Sequence, residues 1–103
     1  MYRFRLRYLN SQGTLMRILT TVTRRGLDLA YVLAEPAGDA FQVTLLVEAP
    51  VKQMLQMGRD WRVIVDVLEV EQPVEVRDLD EALASVAAAS RQPAAAARVA
   101  AVN

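Results

Sequence analysis

Residues 9–29 read LNSQGTLMRILTTVTRRGLDL, and their layout decides the fold. A strand-like run ends in a polar loop that contains Gly13. Leu15, Ile18, Leu19 and Val22 then recur at i, i+3, i+4 and i+7, the apolar stripe of an amphipathic helix. Arg24 and Arg25 fall in its last turn, where cations suit the helix dipole. Gly26 stands just past the helix end, where a left-handed backbone costs glycine nothing. This strand–loop–helix corner aims helix N–H groups towards Asn10 and Ser11, and it has two readings. It is a site for a small anionic group such as an amino-acid carboxylate. Alternatively it is an ordinary turn in which Asn10 or Ser11 caps the helix.

Upstream, Tyr2, Phe4, Leu6 and Tyr8 alternate with Arg3, Arg5 and Arg7, which predicts a half-buried strand. Downstream, residues 27–34 form a second strand, and the cluster EPAGD at 35–39 predicts a five-residue hairpin loop. The third strand covers 41–48, with Phe41, Val43, Leu45 and Val47 on one face. Pro50 opens a second helix, in which Val51, Met54, Leu55, Trp61 and Ile64 keep helical spacing. Trp61 is read as core. Residues 66–72 form a last strand closed by Pro73. The order is βαββαβ, the ferredoxin-like pattern of an α+β fold. Right-handed crossovers put both helices on one face of an antiparallel sheet ordered 4-1-3-2. The other face must meet water or a partner.

The expected domain spans residues 1–73. Beyond it, 11 of the 22 residues from 82 to 103 are alanine, which buries little area. Residues 74–103 are expected to be a tail, helical over about 78–91 with Asp78 as N-cap and disordered over 94–103. The acids around Asp78–Glu81 are read as a solvated helix start rather than a metal site. A core this small buries only roughly 60% of its unfolded surface, so pairing is expected to add stability.

The 103 residues carry 12 basic and 12 acidic side chains and no net charge, which argues against a nucleic-acid partner. The chain has neither cysteine nor histidine, which removes disulfides, thiolate or imidazole metal sites, and Cys or His catalysis. Ser11, Ser85 and Ser90 therefore have no imidazole to activate them. No apolar run approaches the ~20 residues that span a bilayer, so a cytoplasmic protein is expected. Arg3, Arg5 and Arg7 read either as a docking strip or as cross-strand partners of Glu69 and Glu71, since the first and last strands are neighbours in this order. Leu29, Tyr31 and Leu33 share one face of the second strand under strict alternation, with Ala30, Val32 and Ala34 on the other. An edge strand apolar on both faces points to a homodimer through this strand.

The Asn10–Gly13 corner, Leu15-x-Arg17-Ile18, and Arg25-Gly26 before a strand together resemble the ACT domain. The pattern is most similar to the short regulatory subunit of acetohydroxyacid (acetolactate) synthase. Trp61, Ile64, Asp66 and Val67 echo a later family pattern. The resemblance covers about residues 1–72. It implies a non-catalytic regulatory subunit that pairs side by side through edge strands. It would activate the acetolactate synthase large subunit, to which thiamine diphosphate, Mg and FAD would belong; no cofactor is implied for this chain. It also implies an amino-acid effector near Asn10, Ser11, Gly13, Thr14 and Asp28. Gln12 and Asp28 depart from the valine-responsive members, which carry Ala or Pro and Asn there. The short length is similar to subunits of valine-insensitive synthases. The alternative is a free-standing amino-acid sensor serving another enzyme or regulator.

Overall fold

The computed structural model describes residues 1–11 and 13–89. The Gln12 departure, Ser90 and the expected disorder over 94–103 lie outside the described residues. The elements are β1 (Tyr2–Tyr8), α1 (Thr14–Arg24), β2 (Asp28–Ala37), β3 (Ala40–Glu48), α2 (Val51–Arg62), β4 (Val67–Val70), β5 (Val74–Glu75) and α3 (Leu79–Ala89). The antiparallel sheet runs β2-β3-β1-β4, with β5 also on β1. This is the expected 4-1-3-2 order.

The alternation in β1 is realised residue by residue. Tyr2, Phe4, Leu6 and Tyr8 are buried beneath α1 and α2, and join Ile18, Val22, Val43, Leu45, Val47, Met57 and Trp61 in the main core. Trp61 ties three elements together. Its ring meets Phe4 edge-on at 4.9 Å, and its Nε1 donates to the Ile18 carbonyl at 3.0 Å. The expected stripe on α2 is shifted: Val51 and Leu55 are exposed, while Met57 is fully buried. The helix begins at Val51 after Pro50 and turns Met54, Met57 and Trp61 inwards at i, i+3 and i+7.

α1 ends as its sequence predicts. Gly26 takes φ 69°, its N–H meets Thr23 O at 3.0 Å, and the Leu27 N–H meets Val22 O at 3.3 Å. These are the two bonds of a Schellman motif. Arg25 then crosses to α2, giving Asp60 two contacts at 2.6 and 2.9 Å and Gln53 one at 2.9 Å.

The β2–β3 loop is shorter than expected. Pairing continues to Ala37↔Ala40, which leaves a two-residue turn, Gly38-Asp39. Near the start of β2, the register shifts between Leu29 and Tyr31, so Ala30 is an extra residue. That bulge breaks strict alternation. Leu29 packs against the main core, whereas Tyr31 and Leu33 lie against the opposite face, so the three do not share a face.

The second face of the sheet is covered by the chain itself. Val76 and Ala82 bury Leu33 and Leu46, with Met1, Ala30 and Tyr31 around them. Leu46 is fully buried as a result, a contribution of about 1.5–3 kcal/mol. Pro73 interrupts the last strand, since it has no N–H to donate, but does not close it. β5 resumes pairing at Arg3↔Val74 and Tyr2↔Glu75. Packing therefore continues past residue 73 into the segment expected as a tail. Asp78 caps α3 as predicted, its Oδ1 accepting from the Glu81 N–H at 2.9 Å.

The arginine row on this face is paired as the cross-strand reading requires. Arg5 meets Glu71 at 3.3 Å and Arg7 meets Glu69 at 3.8 Å. Burial and the neighbouring Arg5 push the Arg3 guanidinium below its usual value, against an opposing pull from Glu71.

Candidate functional site

The corner between β1 and α1 is held from two directions. Gly13 stands at the N-cap with φ 82°, and no side chain caps α1. The expected capping by Asn10 or Ser11 is therefore absent: a left-handed glycine occupies the capping position, and neither side chain bonds a free N–H of the helix start. The local bonds are from backbone. Ser11 N–H donates to Leu9 O at 2.8 Å, Thr14 N–H to Ser11 O at 3.3 Å, and Arg17 N–H to Gly13 O at 3.0 Å.

The second hold comes from the link between α2 and β4. The Ser11 hydroxyl donates to Asp66 Oδ2 and lies 2.6 Å from Thr14 Oγ1. Ser11 has one proton, so Thr14 donates to Ser11 and Ser11 to the carboxylate. The Leu9 N–H also donates to Asp66 O at 2.8 Å. Asp66 itself has φ 75°, the single non-glycine residue with positive φ among the described residues. Asx residues tolerate this region best, but it still costs free energy, and such sites cluster where a shape must be held. Thr14 is fully buried, while Asn10, Ser11 and Gly13 are exposed.

Beside this corner lies a cavity of about 570 Å³ lined by Ser11, Arg17, Val63, Ile64, Val65 and Asp66. It offers a guanidinium, a carboxylate and an apolar wall. A carboxylate and an ammonium on one small ligand would find opposite charges here, with Val63, Ile64 and Val65 beside its side chain. Of the corner residues expected at a ligand site, Ser11 lines this cavity and Asn10, Gly13 and Thr14 do not, whereas Arg17 and Asp66, which were not expected there, do. Burial pushes the Tyr8 phenol up from its usual value, so it is neutral and not a proton acceptor at neutral pH. A second cavity of about 650 Å³ separates α1 from α2, lined by Met16, Thr20, Arg24 and Asp60 among others.

Asp28 is not part of this constellation within one chain. It pairs with Glu48, one step beyond Val47↔Tyr2, whereas the corner follows Tyr8↔Phe41. Seven residues of strand, from Phe41 to Glu48, separate those levels, about 23 Å at ~3.3 Å per residue. Among the described residues no group of His, Cys, Asp or Glu is arranged to hold a metal ion. No helix among them is long and apolar enough to cross a membrane.

No family model matches the sequence, and no curated protein matches it. Solved structures do resemble the fold. The ACT domain from the GTP pyrophosphokinase of Chlorobium tepidum superposes with a TM-score of 0.61 at 12% identity, covering 71% of this chain and 95% of that one. A homoserine dehydrogenase from Thiobacillus denitrificans gives 0.60 at 17% identity, over 75% of this chain and 17% of that one. The C-terminal domain of the MgtC protein from Mycobacterium tuberculosis gives 0.57 at 16% identity, over 71% and 83%. At these identities the likeness is one of fold. The chain has the ferredoxin-like fold of an ACT domain.

Proposed function

We propose, from the premise of an ACT-type fold, that this chain is a non-catalytic regulatory subunit that binds and activates the large subunit of acetolactate synthase. What supports the proposal is the sequence pattern of Asn10, Gly13, Arg17 and Arg25-Gly26 on which the resemblance rests, together with Gly13 opening α1 and Gly26 ending it. The chain adds no chemistry of its own in this reading. The Ser11–Asp66 contact has no imidazole to relay a proton, because the chain has no histidine. Activation then means that the subunit binds the active conformation of its partner more tightly than the inactive one. Co-expression with the large subunit of the same organism is expected to yield a co-purifying complex with raised turnover. A purified chain that neither binds nor stimulates that subunit overturns the proposal.

A homodimer through β2 belongs to the same reading. β2 is an edge strand, so its outward backbone groups are open to a second copy. Antiparallel pairing there would carry Asp28 of the second copy towards the corner end of the sheet. An ionised Asp accepts hydrogen bonds but cannot donate to an effector carboxylate as Asn can. Valine is therefore expected to bind weakly or not at all, and calorimetry showing micromolar valine affinity contradicts this.

One observation favours the second reading, a free-standing amino-acid sensor: Arg17 and Asp66 face one cavity with an apolar wall. Strong thermal stabilisation by one amino acid, without any large subunit present, would select the sensor.

A further inference from the structure

One end of the helical layer exposes apolar side chains that the fold itself leaves uncovered. Met16, Val63 and Val65 are 64%, 80% and 72% exposed. Val63 and Ile64 line both cavities, so the surface is continuous from the α1–α2 groove to the corner. Isolated exposed apolar residues need no explanation, but a contiguous group beside a groove marks an interaction site.

The polar rim of the groove is cationic. Arg17, Arg24 and Arg25 line it, opposed among the described residues by Asp60. Asp60 is already engaged by Arg25 at 2.6 Å. Arg17 and Arg24 enter no ion pair among the described residues. The groove thus offers two free guanidinium groups around an apolar floor.

We infer that this α1–α2 face is the surface on which a partner protein docks, through a segment that presents an apolar side chain flanked by carboxylates. The inference rests on the reading above, in which that partner is the large subunit. A small free anion satisfies Arg17 and Arg24 but leaves Val63 and Val65 in water, so it does not account for the apolar half. A second copy of this chain fits worse. A two-fold contact through this patch sets one cationic rim against another, and like charges across an interface are costly. Contact with an acidic region of another copy is head-to-tail and does not close into a dimer.

The test titrates the large subunit with the wild-type chain, Val63→Ser, Arg24→Gln and the double variant, reading the concentration that gives half-maximal activation. Both side chains are exposed, so circular dichroism and Tm are expected to stay at wild-type values. The double variant is expected to raise that concentration by roughly tenfold or more, as loss of an interface anchor does. Arg24→Gln alone is expected to weaken activation at low salt, with its deficit shrinking at high salt. Wild-type activation by all variants overturns the docking surface and leaves the regulatory reading intact. Failure of the wild-type chain to bind or stimulate overturns both. A change in oligomeric state caused by Val63→Ser marks a self-contact and overturns the inference. So does stabilisation by inorganic phosphate that Arg24→Gln abolishes.

Discussion

Asp66 does the most at the scale of single residues. It sits in a left-handed conformation, its carboxylate accepts from Ser11, and its carbonyl accepts from Leu9. The corner and the end of α2 are thereby joined through one side chain. Asp66→Asn keeps both an acceptor for Ser11 and tolerance of positive φ, so its stability is expected to stay within about 0.5 kcal/mol of wild type. Asp66→Val loses the bond and puts a β-branched residue at φ 75°, and is expected to cost about 2 kcal/mol or more. Urea denaturation compares the two, and equal stability of both variants contradicts the role assigned to Asp66. Ser11 was legible as a corner residue because glycine and polar residues punctuate a chain locally. Its partner was not, since 55 residues separate Ser11 from Asp66 and only the folded sheet brings them together.

At the scale of elements, the helix that matters most for the second face is α3. Its start is held by Asp78 and Glu81, and the Glu81 carboxylate accepts from the Arg77 N–H. That backbone bond, with help from the Arg77 side chain, pulls the Glu81 carboxyl below its usual value. A depressed carboxyl contributes stability that is complete above its ordinary value and is lost as pH falls through the lower folded value. The wild type is therefore expected to melt above Glu81→Gln at neutral pH. The gap is expected to close as pH drops below the ordinary carboxylate range, where the two side chains become neutral near-isosteres. A gap independent of pH contradicts the capping role. α3 itself was legible from Asp78 and the acids that follow, but its docking was not. Leu79, Ala82, Leu83 and Val86 do recur at helical spacing, but Leu79 and Leu83 are exposed, and the buried members among the described side chains and the approach are the smaller Ala82 and Val76. The bulge at Ala30 was hidden for a related reason. Residues 29–34 are apolar at every position, so an extra residue leaves the pattern unchanged while moving Leu29 to the other face. The Arg–Glu ladder between β1 and β4 was readable because both strands alternate and the topology makes them neighbours.

For the whole molecule, the distribution of charge matters more than its sum. The chain is neutral overall, yet α1 carries only basic charges while the stretch from Asp66 to Glu81 carries seven acids and one arginine. Pairing within the sheet consumes Glu69 and Glu71 and leaves Arg17 and Arg24 on the helical layer. The two faces of the sheet are thus unequal. One holds the main core under α1 and α2, and the other is closed by the chain's own continuation past Pro73. The reason to expect a dimer is narrowed by this, because the apolar second face of β2 is covered internally and the open backbone edge of β2 is what a second copy would use. The fold was readable from the strand and helix periods alone, whereas the regulatory role depends on a partner. The most direct measurement is therefore acetolactate formation by the purified large subunit of the same organism as this chain is titrated in. A saturable rise in turnover, with no activity from the chain alone, is the predicted result. Unchanged turnover and no complex at saturating concentrations of the chain would contradict the account.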